Sequence, residues 1–422
     1  MWLVPFDELT LDQTRAVEMP TTEHRVVLGG PGSGKTLVLA HRAKYLMEKY
    51  CVPPERFRIF VYTNALKQYI QAGINHLEIP EENVIVFDAW CRDFFDEQIG
   101  GSAPWDEKKR TPDFQAIRRA VLNKIKTDPR QFRLFDFVMV DEGQDLETDA
   151  FEILKRIFNH VTVCLDHKQQ VYDHGSTEKE VLQALGLPRR NMILLETFRC
   201  CPYIVHLAAT LIPDPAERTA YRNQARTDSR GREIPVLYRA SSTEEEKRHL
   251  LETVRARQQA GEKVAVLLPT NRLTHGYAEA LREAGLEVES PKRRGAEDGP
   301  YDWDFRSDRT KVMTYPSAKG LTFDTVIMPR LVERPFDWLT AGRITNLLFV
   351  GISRAVKWVY LSTVEGMELP QIETLQSAAR EGSLTVRKGN GIPKPTTPDR
   401  KKPTLPGISV PVAPDDDLAD LF

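Results

Sequence analysis

Short apolar runs and stretches of helical periodicity alternate along almost the whole chain. Runs at Arg25–Leu28, Ile59–Tyr62, Val84–Phe87, Phe137–Val140 and Val161–Leu165 each lead into a turn or polar cluster and then into an amphipathic segment. Such alternation predicts a parallel sheet wrapped by helices. It recurs with candidate strands at Met192–Leu195, Ile234–Tyr238, Val264–Leu268, Lys311–Thr314, Thr325–Met328 and Trp358–Leu361. The expected organisation is therefore α/β, with one domain over 1–190 and a second over 191–385. The stretch Gln98–Arg133 breaks the pattern with a charged, helix-prone insert, too short to be a domain of its own. From residue 386 onward the chain is rich in Pro and basic residues and then ends acidic and apolar, a composition expected to be disordered.

Charge narrows the function classes. A formal net charge of -2, with 28% charged residues, excludes a uniformly basic body that coats nucleic acid passively, so any polyanion contact must be local. The 5 cysteines form no CxxC pair and no Cys/His ladder, which argues against structural zinc and a disulfide framework. No apolar run approaches the ~18 residues of a membrane span, and the first residues lack the basic flank and long apolar core of a secretory leader. The chain reads as cytoplasmic, with no membrane partner.

Residues Gly29–Thr36 read GGPGSGKT, directly after a predicted strand and before a predicted helix. In that context the backbone N–H groups of Gly29, Gly30, Gly32, Ser33 and Gly34 wrap phosphate oxygens. Lys35 reaches the β- and γ-phosphates, and the Thr36 hydroxyl ligates magnesium. A second polar cluster, VMVDEGQD, ends an apolar strand at Val138–Asp145. There Asp141 would hold Mg²⁺ and Glu142 would orient and deprotonate a water. ATP and Mg²⁺ are the cofactors these two clusters call for.

DEGQD and its surroundings resemble the DExQD box of UvrD-like superfamily 1 helicases, and further segments resemble that family's other boxes in order across about residues 7–365. LTLDQTRAV is similar to the Q motif, which implies that Gln13 reads the adenine edge. LVLAHRAKYL, with Arg42, resembles the extension of the phosphate-loop motif. FVYTNALK resembles motif Ia, implying strand contacts by Tyr62, Thr63 and Asn64. VFD stands at motif Ib, with Phe87 expected on the strand path and Asp88 where the family carries a His. VTVCLDHKQQVY resembles motif III, in which Asp166 and Gln169 couple the γ-phosphate to the strand site, and two positions beyond Tyr172 His174 stands where the family usually carries an aromatic. LLETFRCCPYIVHLA resembles motif IV and LLFVGISRAVKWVYL motif VI, implying that Arg199 and Arg354 are arginine fingers. VMTYPSAKGLTFDTV resembles motif V, placing Ser317 and Lys319 on the strand and Gly320 by the nucleotide, although Pro316 and Thr322 depart from the usual residues.

The resemblance implies two tandem RecA-like domains, ATP hydrolysis at the cleft between them, and 3′–5′ movement on single-stranded DNA. RNA is an alternative track, because stacking and backbone contacts accept either strand. The family's two insertion subdomains shrink here to Gln98–Arg133 and to a polar loop at Ser290–Arg309. That favours, as a second reading, a translocase with little intrinsic unwinding, acting within a repair, recombination, conjugation or defence complex. A third reading is an ATP-gated DNA-binding switch. The acidic and apolar ending Asp415–Phe422 suits a docking peptide for a protein partner.

Overall fold

The computed structural model describes residues 3–107, 111–128, 132, 135–166, 175–194, 200–223, 233–291 and 303–389. The tail beyond residue 389, with the expected docking peptide, lies outside them. Two wholly parallel sheets organise the chain. The first uses β1 (Arg25–Gly29), β2 (Phe57–Val61) and β3 (Val84–Val86). After a two-residue antiparallel pair, β4 (Trp105–Asp106) with β5 (Thr111–Pro112), it continues with β6 (Phe135–Val140), β7 (Phe158–Leu165) and β8 (Met192–Leu194), in the order β3-β2-β6-β7-β1-β8. The second comprises β9 (Val236–Ala240), β10 (Val264–Leu268), β11 (Val288–Glu289), β12 (Thr310–Thr314), β13 (Phe323–Met328), β14 (Ala355–Val364) and β15 (Thr385–Lys388), in the order β11-β12-β10-β13-β14-β9-β15.

Every residue of β1, β10 and β12 is buried, the continuous apolar pattern of strands covered on both faces. One strand sits in a different sheet from the one expected. Met192–Leu194, read as opening the second half, instead lies parallel to β1, with Val27 beside Met192 and Gly29 beside Leu194. Asn191 fixes this register: its backbone N–H donates to Val26 O at 3.0 Å, and its side-chain oxygen accepts from Val26 N at 2.8 Å. Periodicity identifies a strand but not the sheet it joins. The first sheet and its helices form the first lobe, the second sheet and its helices the second.

The insert is built from the β4–β5 pair and the helix Phe114–Thr127, capped by Asp113, which accepts from Ala116 N at 3.0 Å. It buries Ile117, Val121 and Ile125 with Phe87, Phe95, Phe151 and Leu154 in one cluster. The polar loop expected at Ser290–Arg309 proves partly apolar. Trp303 is buried, and its backbone N–H donates to Gln68 Oε1 of the first-lobe helix Asn64–Ile74 at 3.3 Å. Phe305 meets Tyr69 of that helix edge to face, at 5.4 Å between ring centroids, and Arg306 pairs with Glu81. The same helix is held a second time near its start: Gly320, at φ +78, lies so close that a Cβ there would stand 2.9 Å from Leu66 Cδ1. Only glycine combines that backbone with that approach. Among the described residues, no helix is long and apolar enough to cross a membrane.

Candidate nucleotide site and strand-facing surface

The phosphate loop runs from the carboxyl end of β1 into the helix Lys35–Lys49, so the helix N-terminus and its free N–H groups face the loop's concavity. Gly34 caps this helix at φ +87, and a Cβ there would strike Gln13 Nε2 at 2.4 Å. Gln13 is folded against the loop, donating from Nε2 to Ser33 O at 3.0 Å and accepting from Thr10 N at 3.1 Å. Lys35 is buried, its ammonium donating to Gly29 O at 2.9 Å, Gly30 O at 3.1 Å and Asp166 Oδ2 at 3.0 Å. Burial works against its charge, but Asp166, Glu142 and Asp141 outweigh burial and raise its pKa.

The Thr36 hydroxyl donates to Asp141 Oδ2 at 2.6 Å, bringing together the first residues of the helix and the end of β6. A hydroxyl and a carboxylate side by side at a phosphate loop are the hard oxygen donors that suit magnesium. Desolvation, then the neighbouring Glu142, pushes the Asp141 carboxyl up to about 6. Glu142 itself stays ionised more readily than usual: burial raises its pKa, but Lys319, Lys35 and Arg354 together draw it down. Its backbone lies at φ +51, a left-handed conformation uncommon for glutamate. Gln144 supports it, donating from Nε2 to Glu142 Oε2 at 2.5 Å while its own carbonyl oxygen accepts from Asp166 N at 2.9 Å.

The second lobe supplies two cations to this cluster. Lys319 Nζ donates to both Asp145 oxygens, at 2.7 and 2.6 Å, and lies 3.8 Å from Glu142 Oε2. Burial nevertheless raises the Asp145 carboxyl to about 7, with Lys319 opposing the shift. Arg354 is buried and fixed by Val350 O at 3.1 Å, Ser353 Oγ at 3.0 Å and Leu321 O at 3.4 Å, with its charge felt at Glu142. Next to it, Cys200 Sγ donates to Ser353 O and would stand 3.4 Å from a Cβ on Gly32, so the segment after residue 199 packs on the phosphate loop.

The remaining expected residues divide. Arg42 is not at the nucleotide site: it has no solvent exposure and donates to Thr162 Oγ1 at 2.9 Å, Val17 O at 2.8 Å, Met19 O at 2.8 Å and, more loosely, Ala16 O, while meeting His160 Nε2 at 3.0 Å. Its guanidinium ties the end of the helix Leu11–Glu18 to β7. Phe87 is likewise not on a strand path but in the core, edge to face with Phe60 at 5.3 Å. Lys319, expected at the strand, is buried in the ion pair just described, and Gly320, expected by the nucleotide, packs on Leu66.

Tyr62 is half-buried at the end of β2, where burial and the charges of Asp145 and Asp88 raise its hydroxyl pKa. Thr63 accepts from Leu66 N at 3.2 Å as the cap of the helix that Asn64 begins, and Asn64 is exposed. The Ser317 hydroxyl bonds Thr314 Oγ1 at 2.9 Å. Gln169, His174 and Arg199 lie outside the described residues. Two residues inside the DEGQD box carry contacts that the sequence reading did not assign, Gln144 and Asp145. Their presence in the box beside Asp141 and Glu142 was the available signal.

Residues 9–133 match the family of the UvrD/REP helicase N-terminal domain. The chain is 21% identical over 411 residues to the ATP-dependent DNA helicase PcrA of two Staphylococcus epidermidis strains, covering 77% of this chain and 55% of the relative. It thus spans about half the length of the relatives it matches. A solved structure, the C-terminal domain of a possible DNA helicase from Lactobacillus plantarum, aligns at 16% identity with a TM-score of 0.33, over 45% of this chain and 98% of that one. The likeness is thus to the N-terminal domain of UvrD/REP helicases over the first third of the chain, and to PcrA at low identity over most of it.

Proposed function

We propose that the protein is an ATP-driven motor that moves 3′ to 5′ along single-stranded DNA, hydrolysing ATP in the cleft between two tandem RecA-like lobes. The observation that carries this reading is the convergence on one buried cluster of Lys35, Thr36, Asp141 and Glu142 from one lobe with Lys319 and Arg354 from the other. Lys35 exchanges Asp166 for the β- and γ-phosphates. Thr36 and Asp141 would hold Mg²⁺, which when bound would supply neutralising charge beside the phosphate oxygens. Glu142, kept ionised by its cationic neighbours, orients and deprotonates the attacking water. Arg354, and Arg199 with it, stabilises charge developing on the transferring phosphoryl group, and Gln169 senses that group. Gln13 keeps one amide hydrogen and one lone pair for the adenine beyond its present bonds.

Tyr62 stacks a base at the strand-facing end of β2, with Thr63, Asn64 and Ser317 along the same path, and His174 is a further strand contact on the family's pattern. Asp88 does not oppose the strand as a free charge, because Arg118 Nη1 donates to it at 2.6 Å. A second reading, translocation with little unwinding, is favoured by one observation: the Trp303–Arg306 loop is folded down on the first lobe, where a duplex-handling attachment would project. The deciding measurement is ATP turnover with no strand, with single-stranded DNA and with single-stranded RNA, followed by strand displacement on 3′- and 5′-tailed duplexes. Turnover that ignores both strands refutes the motor. Strand-stimulated turnover without displacement selects the second reading.

A further inference from the structure

The hydrolytic loop is a short turn whose two ends are joined by one backbone bond, Asp145 N to Glu142 O at 2.9 Å. Its first residue, Glu142, is held in a left-handed conformation that a glutamate does not adopt freely. Its last residue, Asp145, is gripped through both carboxylate oxygens by Lys319. Lys319 belongs to the second lobe, at the end of the turn Pro316–Ala318, and is followed by Gly320, which seats on Leu66. Lys319 and Asp145 are both nearly inaccessible, so the pair is made only when this part of the second lobe is against the first.

We propose that Lys319 is a positioning residue: by clamping Asp145 across the cleft, it holds the turn that aims Glu142, so hydrolysis is in register only when the lobes are closed. The inference rests on the ATPase reading above and specifies how closure controls it. Asp145 also places the clamp beside the strand-facing surface, since its charge acts on the Tyr62 hydroxyl. A group aimed wrongly by as little as about 1 Å costs on the order of 100-fold in rate, so a loosened turn is sufficient to silence turnover.

The test uses the full chain with Lys319→Met, Asp145→Asn, the double variant and Lys319→Arg. The double variant removes both charges of the pair and leaves Glu142 with Lys35 and Arg354, and so guards against the misfolding that a single unpaired partner would cause. Affinity for a fluorescent non-hydrolysable ATP analogue with magnesium, and kcat and KM for ATP at saturating single-stranded DNA, are measured for each. The expected result is analogue affinity and KM within about 3-fold of the parent, with kcat down roughly 10- to 100-fold in the double variant. The double should be no worse than the worse single, and Lys319→Arg should recover part of the rate. Parent-like kcat in the double variant overturns the clamp, as do additive losses in the singles or a loss confined to KM and analogue affinity. A parent that binds the analogue yet turns over no ATP with any strand overturns the ATPase reading, and the clamp with it.

Discussion

Replacing Arg42 by Met separates a structural arginine from a nucleotide ligand. The substitution keeps most of the apolar stem and removes the donors for four close partners, Thr162, Val17, Met19 and His160, at 2.8 to 3.0 Å. Charge-assisted bonds contribute about 1.5–3 kcal/mol each, so their loss costs roughly 6–12 kcal/mol before compensation. Part of that returns, because the guanidinium no longer has to be held dry. Burial, then the charge of Arg25, lowers its pKa to about 10, a penalty on the order of 3 kcal/mol at 1.36 kcal/mol per unit. The lower bound of the balance is a destabilisation of about 3 kcal/mol, on the order of 6–12 °C in thermal midpoint for a unit of about 200 residues. Guanidinium-induced unfolding followed by circular dichroism measures the first quantity, and titration with a fluorescent ATP analogue under native conditions measures the second. The midpoint should fall while the folded protein binds the analogue as the parent does. An unchanged midpoint with weakened analogue binding would refute the reasoning and return Arg42 to the nucleotide site.

Burial, with Arg42 beside it, holds the His160 imidazole down at about 3, below its ordinary 6.5. The unfolded chain therefore takes up a proton that the native state refuses: stability is full above pH 6.5, declines as pH falls toward 3, and should decline less steeply in His160→Gln by urea titration. Phe87→Ala should cost about 3–5 kcal/mol of stability as a core cavity and leave strand affinity of the folded protein unchanged. Tyr62→Ala should do the reverse, with about 1–3 kcal/mol lost from strand binding in a fluorescence anisotropy titration. Trp303→Ala combined with Phe305→Ala should loosen the lobes and enlarge the radius of gyration in small-angle scattering; an identical curve would show that the loop does not hold them together.

What was legible in the sequence follows from how local each feature is. The strand–loop–helix at the phosphate loop could be read because it is set by eight consecutive residues, and the structure runs β1 into the helix Lys35–Lys49 there. The carboxylates Asp141 and Glu142 were readable for the same reason, at the end of an apolar strand. Arg42 was not, because its role depends on Thr162 and His160, which lie 120 and 118 residues away. An arginine within an amphipathic helix gives no sign that it will be fully buried. Phe87 failed similarly: an aromatic at the end of a strand reads equally as exposed or packed until Phe60 and Trp90 are known to face it. The sheet membership of Met192–Leu194 rests on a pairing with β1 more than 160 residues earlier in the chain, which local pattern cannot encode.

The balanced charge of the chain takes on a different meaning once its ionic groups are located. Asp88, Glu147 and Asp149 surround Arg118 of the insert at 2.6, 3.1 and 3.7 Å, so the insert's arginine offsets acids on the first lobe. A few residues away, Lys319 offsets Asp145, and Lys35 offsets Asp166. Each of these cations is already engaged, which removes it from the reservoir available to a phosphate backbone. On the proposed reading these cations add little to strand affinity, and stacking at Tyr62 with neutral contacts at Thr63, Asn64 and Ser317 supplies a grip that tolerates any sequence and releases readily. A motor needs both properties at every step. The paired charges instead connect the nucleotide pocket to the strand-facing surface: Lys35 to Asp166, Asp166 through Gln144 to Glu142, and Glu142 through Lys319 to Asp145 beside Tyr62. Because one link in that series comes from the second lobe, separating the lobes breaks it, and in the proposed motor that dependence would tie nucleotide state to grip on the strand.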